Sequence, residues 1–538
     1  MTRSAAAIAL LAATAAGEVG EPGESGGGGA APPVRFVESR IDIGSDRCEY
    51  QFSDADGDGR IDLFVTTAEA GTRTLKLYRL RADGQYPAQP DFRMTVPPDV
   101  VAFCTFDLRP EPGHEVVLLT RSGIFSLTAT RESLQGNLRR ELAMPIFPDL
   151  PDPERLPCWR MVEDVDGDGI DELLVVSDGG LVALSTQPPG ALDGPTLRPL
   201  FSLPCVPDDA DARDAKVSIG NAGVTVQSHS ALSSFFPGAR SSRPAFTGQQ
   251  LLQRDTSFEV PALFDWNGDK LRDLVALDVD EVRVRLQEAP GRFETAVKSY
   301  RLPEPLRAEN VDRSGRRRHE RLKLLDMDGD GRSELVLTKS EGRGSSQEHS
   351  FVVVRRKPDG TPEEAASALL KLEGMNVDYD AIDVDHDGFL DVVASRVDVP
   401  TGITSLANVR LDTGTYLFHG GPRATLDRTF SVKVERTFRP EQLARVQETL
   451  LTNFTGDFDG DHLNDLVLTQ LDGRVDLRRL RHEGGAFALD ERPLASFQPP
   501  APVERMETWD VSNDGVADLF LRHKRTFTLF VSKKEAAK

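Results

Sequence analysis

The side chains with the most chemistry in them are clustered carboxylates. Residues 54–62 read DADGDGRID, and the same spacing returns from 164 (DVDGDGIDE), 265 (DWNGDKLRD), 326 (DMDGDGRSE), 383 (DVDHDGFLD), 457 (DFDGDHLND) and 510 (DVSNDGVAD). Three or four carboxylates within nine residues repel one another strongly unless a cation lies among them. Hard oxygen donors in a tight turn suit Ca²⁺, which takes about six to eight oxygens at flexible angles, whereas Mg²⁺ demands a stricter octahedron and keeps its waters. The ligands expected in each loop are the side chains at positions 1, 3, 5 and 9 and the backbone carbonyl at position 7. For the first loop these are Asp54, Asp56, Asp58 and Asp62, with Arg60 through its carbonyl. The second set is Asp164, Asp166, Asp168, Ile170 and Glu172, and the third is Asp265, Asn267, Asp269, Leu271 and Asp273. Asp326, Asp328, Asp330, Arg332 and Glu334 follow, then Asp383, Asp385, Asp387, Phe389 and Asp391. The last two sets are Asp457, Asp459, Asp461, Leu463 and Asp465, and Asp510, Ser512, Asp514, Val516 and Asp518.

A turn that folds over an ion needs positive φ at positions 4 and 6, which glycine supplies in most copies. Where glycine is missing, Lys270, His386, His462 or Asn513 stands there and is expected to be left-handed; of these, Lys is the least suited. Asn267 and Ser512 replace the second acid, so those two sites should bind more weakly. An eighth, degenerate copy begins at Asp107 (DLRPEPGHE); it puts Arg109 at a ligand position and is expected to be empty, its own cation standing in for the metal. An EF-hand is excluded, because its loop needs a glutamate at position 12 and flanking helices; here position 12 is Val65, Val175 or Leu337. A metal-free Asp/Gly turn accounts for one such copy but not for seven with the same offsets.

The elements around each loop follow one grammar. An apolar strand enters (CEYQF, WRMVE, RLKLL), and a continuous apolar strand leaves (DLFVTT, ELLVVS, DLVLTQ), as expected for strands buried on both faces. Alternating strands such as TLKLYRL and SFVVVRR come next. Four strands per unit, with loop starts stepping by 53, 57, 101, 61, 57, 74 and 53 residues, predict an all-β fold: a single β-propeller of eight or nine four-stranded blades. The wide step of 101 suggests a silent ninth unit near 205–255, with its trace at Asp211 and its strands in AKVSIGNAGVTVQS. The N-terminal RFVESRI is placed to complete the last blade, and PEQLARVQETLL reads as a loop helix.

On the Dx(D/N)xDGxxD-apolar signature, the units resemble FG-GAP/VCBS-type repeats, related to the integrin α-subunit propeller. The resemblance covers roughly residues 35–535; the Phe-Gly and Gly-Ala-Pro parts of the repeat are poorly kept. It implies a calcium-bearing propeller that binds protein or carbohydrate partners. Some polysaccharide lyases, rhamnogalacturonan lyases among them, are also calcium-bearing propellers, so two function classes stay open. The basic runs RSGRRRHERLK (313–323) and RRLRHE (478–483) are the candidates for gripping uronates, with solvated loops as their plainer reading. Segments 397–408, 418–429 and 340–349 are the long insertions where specificity would reside. No HExxH, GxSxG or P-loop pattern is present, and the nine histidines are scattered.

The formal charge of −22 belongs to the loops. They hold 26 acidic side chains at positions 1, 3, 5 and 9, and setting these aside turns −22 into +4. No basic stripe supports nucleic-acid binding. The start, MTRSAAAIALLAATAAG, resembles a secretory signal over residues 1–16 with an A-x-A site, and 17–34 has the composition of a flexible linker. Beyond it no apolar run is long enough to cross a bilayer. The expected setting is secreted, periplasmic or cell-surface. Cys48, Cys104, Cys158 and Cys205 fit no zinc spacing; they are either inter-repeat disulfides, with three pairings open, or small buried hydrophobes.

Overall fold

The computed structural model describes residues 34–533 except for 110, 128–137, 147–151, 178–179, 187–196, 205–214, 221–222, 229–261, 278–280, 307–320, 342–346, 375, 399–410, 439–452 and 484–485. The signal and linker segments, Asp211, Cys205, the 440–451 helix and most of the 313–323 and 397–408 stretches therefore lie outside the described residues. What is described is all-β, with one 3-10 turn at Glu304–Leu306.

Eight four-stranded antiparallel sheets form the propeller. Blade 1 runs Cys48–Ser53, Asp62–Glu69, Thr72–Tyr78 and Phe92–Thr95, and each acidic loop joins a first strand to a second. Blade 8 is built from both ends of the chain. Arg505–Trp509, Asp518–Arg522 and Thr526–Lys533 receive Arg35–Asp42 as their fourth strand, with Arg35 opposite Lys533 and Asp42 opposite Thr526. The expected closure by RFVESRI is thus present, and it removes the edges that an open ring would expose.

Among the described residues the silent ninth unit forms no blade. Ala215–Gly220 and Gly223–Ser228 pair with each other in a separate two-stranded sheet, so the long step is an insertion between blades 3 and 4. Three smaller hairpins (at 287–293, 420–426 and 480–489) sit between the third and fourth strands of blades 4, 6 and 7, and the sequence reading did not foresee them.

The core lies between blades. Phe64, Leu75 and Leu77 of blade 1 pack with Phe103, Val116 and Leu118 of blade 2, and similar clusters recur around the ring. Second strands supply their apolar runs to both sides, as read from their composition: Leu63, Phe64 and Val65 are all fully buried. At the closing junction Tyr50, Phe520 and Phe527 stack within 5.3 Å of one another. Phe527→Ala is expected to cost about 3–5 kcal/mol of stability in denaturant unfolding, as a large cavity at the ring's seam would; a cost below about 1 kcal/mol would show that this seam is not what holds the ring shut.

First strands meet first strands: Tyr50 Oη donates to Glu507 (2.9 Å), Thr508 Oγ1 to the Thr455 carbonyl (2.8 Å), and Trp159 N–H to the Phe103 carbonyl (2.6 Å). They form the inner ring, and the acidic loops that follow them gather on one face. Cys48, Cys104 and Cys158 are buried free thiols, so the hydrophobe reading holds for these three.

Candidate metal centres

The seven loops share one hydrogen-bond pattern, copied residue for residue. The position-1 carboxylate accepts from the position-6 N–H: Gly59 to Asp54 (2.9 Å), Gly169 to Asp164 (3.0 Å), Lys270 to Asp265 (2.7 Å), Gly331 to Asp326 (3.0 Å), Gly388 to Asp383 (3.1 Å), His462 to Asp457 (2.8 Å) and Gly515 to Asp510 (2.8 Å). The position-5 acid accepts from the N–H of position 7, as Asp58 does from Arg60 (3.0 Å) and Asp514 from Val516 (2.9 Å). The position-9 acid accepts from the N–H of position 2, as Asp62 does from Ala55 (3.3 Å), Glu334 from Met327 (2.8 Å) and Asp518 from Val511 (2.7 Å). Positions 4 and 6 are left-handed in every loop. The four non-glycine residues expected there comply, with φ of 73° at Lys270, 56° at His386, 68° at His462 and 56° at Asn513.

Position 3 is different. Asp56 Oδ1, Asp328 Oδ1, Asp385 Oδ1, Asp459 Oδ1 and Ser512 Oγ are buried oxygens without a hydrogen-bond partner, as is Glu172 Oε1 at position 9. Buried acceptors left bare are costly. The same position carries the defect in five loops, so the loops are built around an electrophile that would sit beside position 3. The residues present therefore fit a hard divalent cation. In four loops the acidic oxygens already converge within 4.8 Å: Asp54, Asp56 and Asp58; Asp164, Asp166 and Glu172; Asp326, Asp328 and Glu334; Asp383, Asp385 and Asp387.

Burial pushes the closing acids up against the N–H bonds that pull them down. Asp62, Glu172 and Asp518 rise to about 7, Asp273 and Asp391 to about 6, and Glu334 and Asp465 to about 8. Asp459 rises to about 6 through burial and its neighbour Asp461.

Two features escaped the sequence reading. Position 2 is apolar and buried in all eight copies: Ala55, Leu108, Val165, Trp266, Met327, Val384, Phe458 and Val511. That pattern was visible in the sequence and marks the plug that seats each loop. The loops also bond to one another. The N–H at position 8 donates to the preceding loop's carbonyl at position 1 or 2: His114 to Asp54, Arg272 to Val165, Leu390 to Met327, Asn464 to Val384, Ala517 to Asp457 and, closing the ring, Ile61 to Val511, over 2.7–3.1 Å. Between blades 4 and 5, Arg356 spans the Ser333 and Trp266 carbonyls (2.5 and 2.6 Å) while stacking on the Trp266 ring. The acidic loops are joints between blades as well as turns within them.

This contact makes the glycines unequal. A Cβ on Gly57 (φ 72°) would lie 2.3 Å from Pro112 of the next loop, whereas one on Gly59 (φ 82°) would meet nothing within 4 Å. Gly59→Ala should lose only the left-handed cost of about 1–2 kcal/mol. Gly57→Ala should lose at least about 1 kcal/mol more, as overpacking does; equal losses in thermal unfolding would contradict the joint.

In the degenerate copy, the Arg109 guanidinium lies on Glu115 (3.1 Å), Glu141 (2.6 Å) and Ser126 (2.7 Å), so a side-chain cation does occupy the position-3 place. In the basic run 478–483, Arg479 reaches Asp459 and Asp461 (both 2.8 Å) and Arg481 pairs with Asp490 (2.6 Å), so these two arginines are engaged within the blade.

Eight four-stranded blades, closed by the N-terminal strand, define a β-propeller. The FG-GAP-like repeat model matches residues 326–394, which contain two of the acidic loops, so this β-propeller carries an FG-GAP-like repeat over that stretch. No curated protein matches the sequence. Among solved structures, it is similar to an Agrocybe aegerita lectin that recognises non-reducing terminal N-acetylglucosamine (14% identity, 72% of this chain, 80% of that one, TM-score 0.37). It is also similar to Chaetomium thermophilum Sqt1 bound to the N-terminus of ribosomal protein L10 (9% identity, 92% and 99% covered, TM-score 0.39). At these values neither likeness bears on the ligand.

Proposed function

We propose that this protein is an exported, calcium-stabilised propeller that binds protein or glycan partners and is not itself a catalyst. The observation that carries the calcium part is the recurring bare oxygen at position 3, flanked by carboxylates whose other oxygens the loop's own N–H groups hold in place. Calcium would be held by the side chains at positions 1, 3, 5 and 9 with the position-7 carbonyl, and it would supply the positive charge that lets these acids stay ionised when buried. Export rests on the composition of residues 1–16, and extracellular modules are where calcium sites of about 10⁻⁴–10⁻³ M affinity fill.

The binding part is supported by the repeat class, a protein-binding and adhesion-type module, and by the loop face. Ile170 (49% exposed) and Trp509 (41%) stand there as large apolar side chains beside the acidic loops, and Trp509 is propped on Phe52 at 5.1 Å. Exposed aromatics on rigid supports are the usual anchors of recognition. The test has two arms. Elemental analysis of purified protein after calcium loading should find several calcium ions per chain; none at saturating supply would remove the metal reading. Protein and glycan arrays, with and without calcium, should return a partner lost on Trp509→Ala, whereas unsaturated product absorbance on pectic polysaccharides would replace the binder with a lyase.

A further inference from the structure

The register of each blade puts one residue beside its acidic loop from an unexpected direction. The residue at loop position 10 pairs with a third-strand residue: Leu63 with Tyr78, Leu173 with Leu184, Leu274 with Arg285, Leu335 with Val354, Val392 with Phe418, Leu466 with Arg478 and Leu519 with Phe530. The next residue along the third strand is then Arg79, Ser185, Leu286, Arg355, His419, Arg479 or Val531. A basic side chain stands there in four blades, and these are the loops at 54, 326, 383 and 457. All four keep the full acidic set. The loops at 265 and 510, whose position 3 is the neutral Asn267 or Ser512, have Leu286 and Val531 instead.

The basic groups reach the loops. Arg79 Nη1 is 3.6 Å from Asp56 Oδ2, with that carboxylate's side chain only 8% exposed and its other oxygen bare. Arg479 lies 2.8 Å from both Asp459, which is fully buried, and Asp461. His419 Nδ1 is 2.9 Å from Asp391 and shares a potential ligand cluster with Asp385. Arg355 is held on Glu363 at 2.6 Å, within electrostatic reach of Asp328. One loop escapes this pairing. The loop at 164 has four acids, faces Ser185, and keeps the bare buried oxygen of Glu172, which is fully buried.

Resting on the calcium reading above, we propose that Arg79 and Arg479 are built-in counter-ions that compete with the divalent cation for the position-3 carboxylate, that Arg355 and His419 add positive charge beside the loops at 326 and 383, and that the loop at 164, with Ser185 at that place, therefore fills first. A fixed guanidinium takes up part of the charge that attracts a metal and brings the full-acid sites down to the level of those with a neutral third position. It also keeps the loop folded before metal arrives, the task Arg109 performs permanently in the degenerate copy. Acid count alone would rank the loops at 54, 164, 326, 383 and 457 as equals; the structure singles out 164.

Calcium titration of chelator-stripped protein by calorimetry, with terbium luminescence as a second readout, tests this. Arg479→Gln should tighten one class of sites by about tenfold and lower the melting temperature in EDTA, while Arg479→Lys restores both. Asp166→Asn should abolish the first-filling step and leave the others. If wild-type protein binds calcium but Arg479→Gln leaves affinity unchanged or weakens it, or if the first step survives Asp166→Asn, the counter-ion assignment is wrong. If wild-type protein binds no calcium at all, it is the calcium reading that fails.

Discussion

Stripping calcium from the purified protein is expected to lower its melting temperature by on the order of 10–20 °C. A ligand that binds only the folded state stabilises it by about 2.7 kcal/mol per site when present at a hundred times its dissociation constant. For sites of about 10⁻⁴ M that condition is met at about 10 mM calcium. Several such sites, divided by the unfolding entropy of a chain of this size, give a shift of that order. The fall should come as one transition and not as independent fraying of seven turns, because position-8 N–H groups tie six neighbouring loop pairs and Arg356 ties a seventh. On the calcium reading, a loop losing its ion would pull on the joint to the next blade. Scanning fluorimetry or calorimetry in EDTA, then with calcium restored, decides it: a melt unchanged by chelator defeats the metal reading, and several separate transitions defeat the belt.

The second large effect concerns pH in the stripped protein. The closing acids sit above the ordinary carboxylate range, at about 6 to 8, chiefly because they are buried. Between about pH 4 and pH 8 the folded chain therefore holds protons that the unfolded chain has released. Their contribution to stability is complete below the unfolded value of about 4, and it is lost as pH rises through 6 to 8. In EDTA the melting temperature should drop steadily from pH 5 to pH 8.5, because each closing acid must either keep its proton or carry a buried charge. With saturating calcium the slope should flatten or reverse, because the ion favours the ionised form. Repeating the series at high salt removes surface self-repulsion, which is screened, and leaves the buried acids, which are not. A stripped protein whose stability rises with pH across this window would mean that the closing acids are ionised and satisfied without any metal.

Arg436 and Arg356 show that buried cations are managed by the same fold without metals. Burial pushes the guanidinium of Arg436 down to about 10, and Arg356 is lowered too, yet both are anchored on backbone carbonyls of neighbouring strands or loops. In both cases one blade supplies the guanidinium and its neighbour a carbonyl that holds it.

How far the sequence could be read follows from which interactions are local. The acidic loop closes on itself within nine residues, so its left-handed positions 4 and 6 were legible down to Lys270, whose residue type argues against that conformation. The second strands were legible because burial on both faces leaves a continuous apolar run, as in Leu63-Phe64-Val65. The closing strand Arg35–Asp42 could be paired with Thr526–Lys533 because the last unit lacked a partner and the first had a strand to spare. The count of blades was not legible, since a spacing of 101 residues between loops fits a silent blade and an insertion equally well. Only the pairing of Ala215–Gly220 with Gly223–Ser228, apart from any four-stranded sheet, separates the two.

The chain by itself determined what each repeat is: a turn dense in carboxylates between two buried strands, and a ring able to close through its own ends. Tertiary structure alone decided how the repeats act on one another. The apolar residue at position 2 is plain in the sequence, but its destination is the seam with another blade. The third-strand cations lie some 20 residues from the acids they face, and which residue faces the loop depends on strand register; a shift of one residue would turn Arg79 away and bring in Leu80. Electrostatic partners separated in the chain and joined across a sheet leave no periodic trace, so the acids could be seen long before their counter-ions.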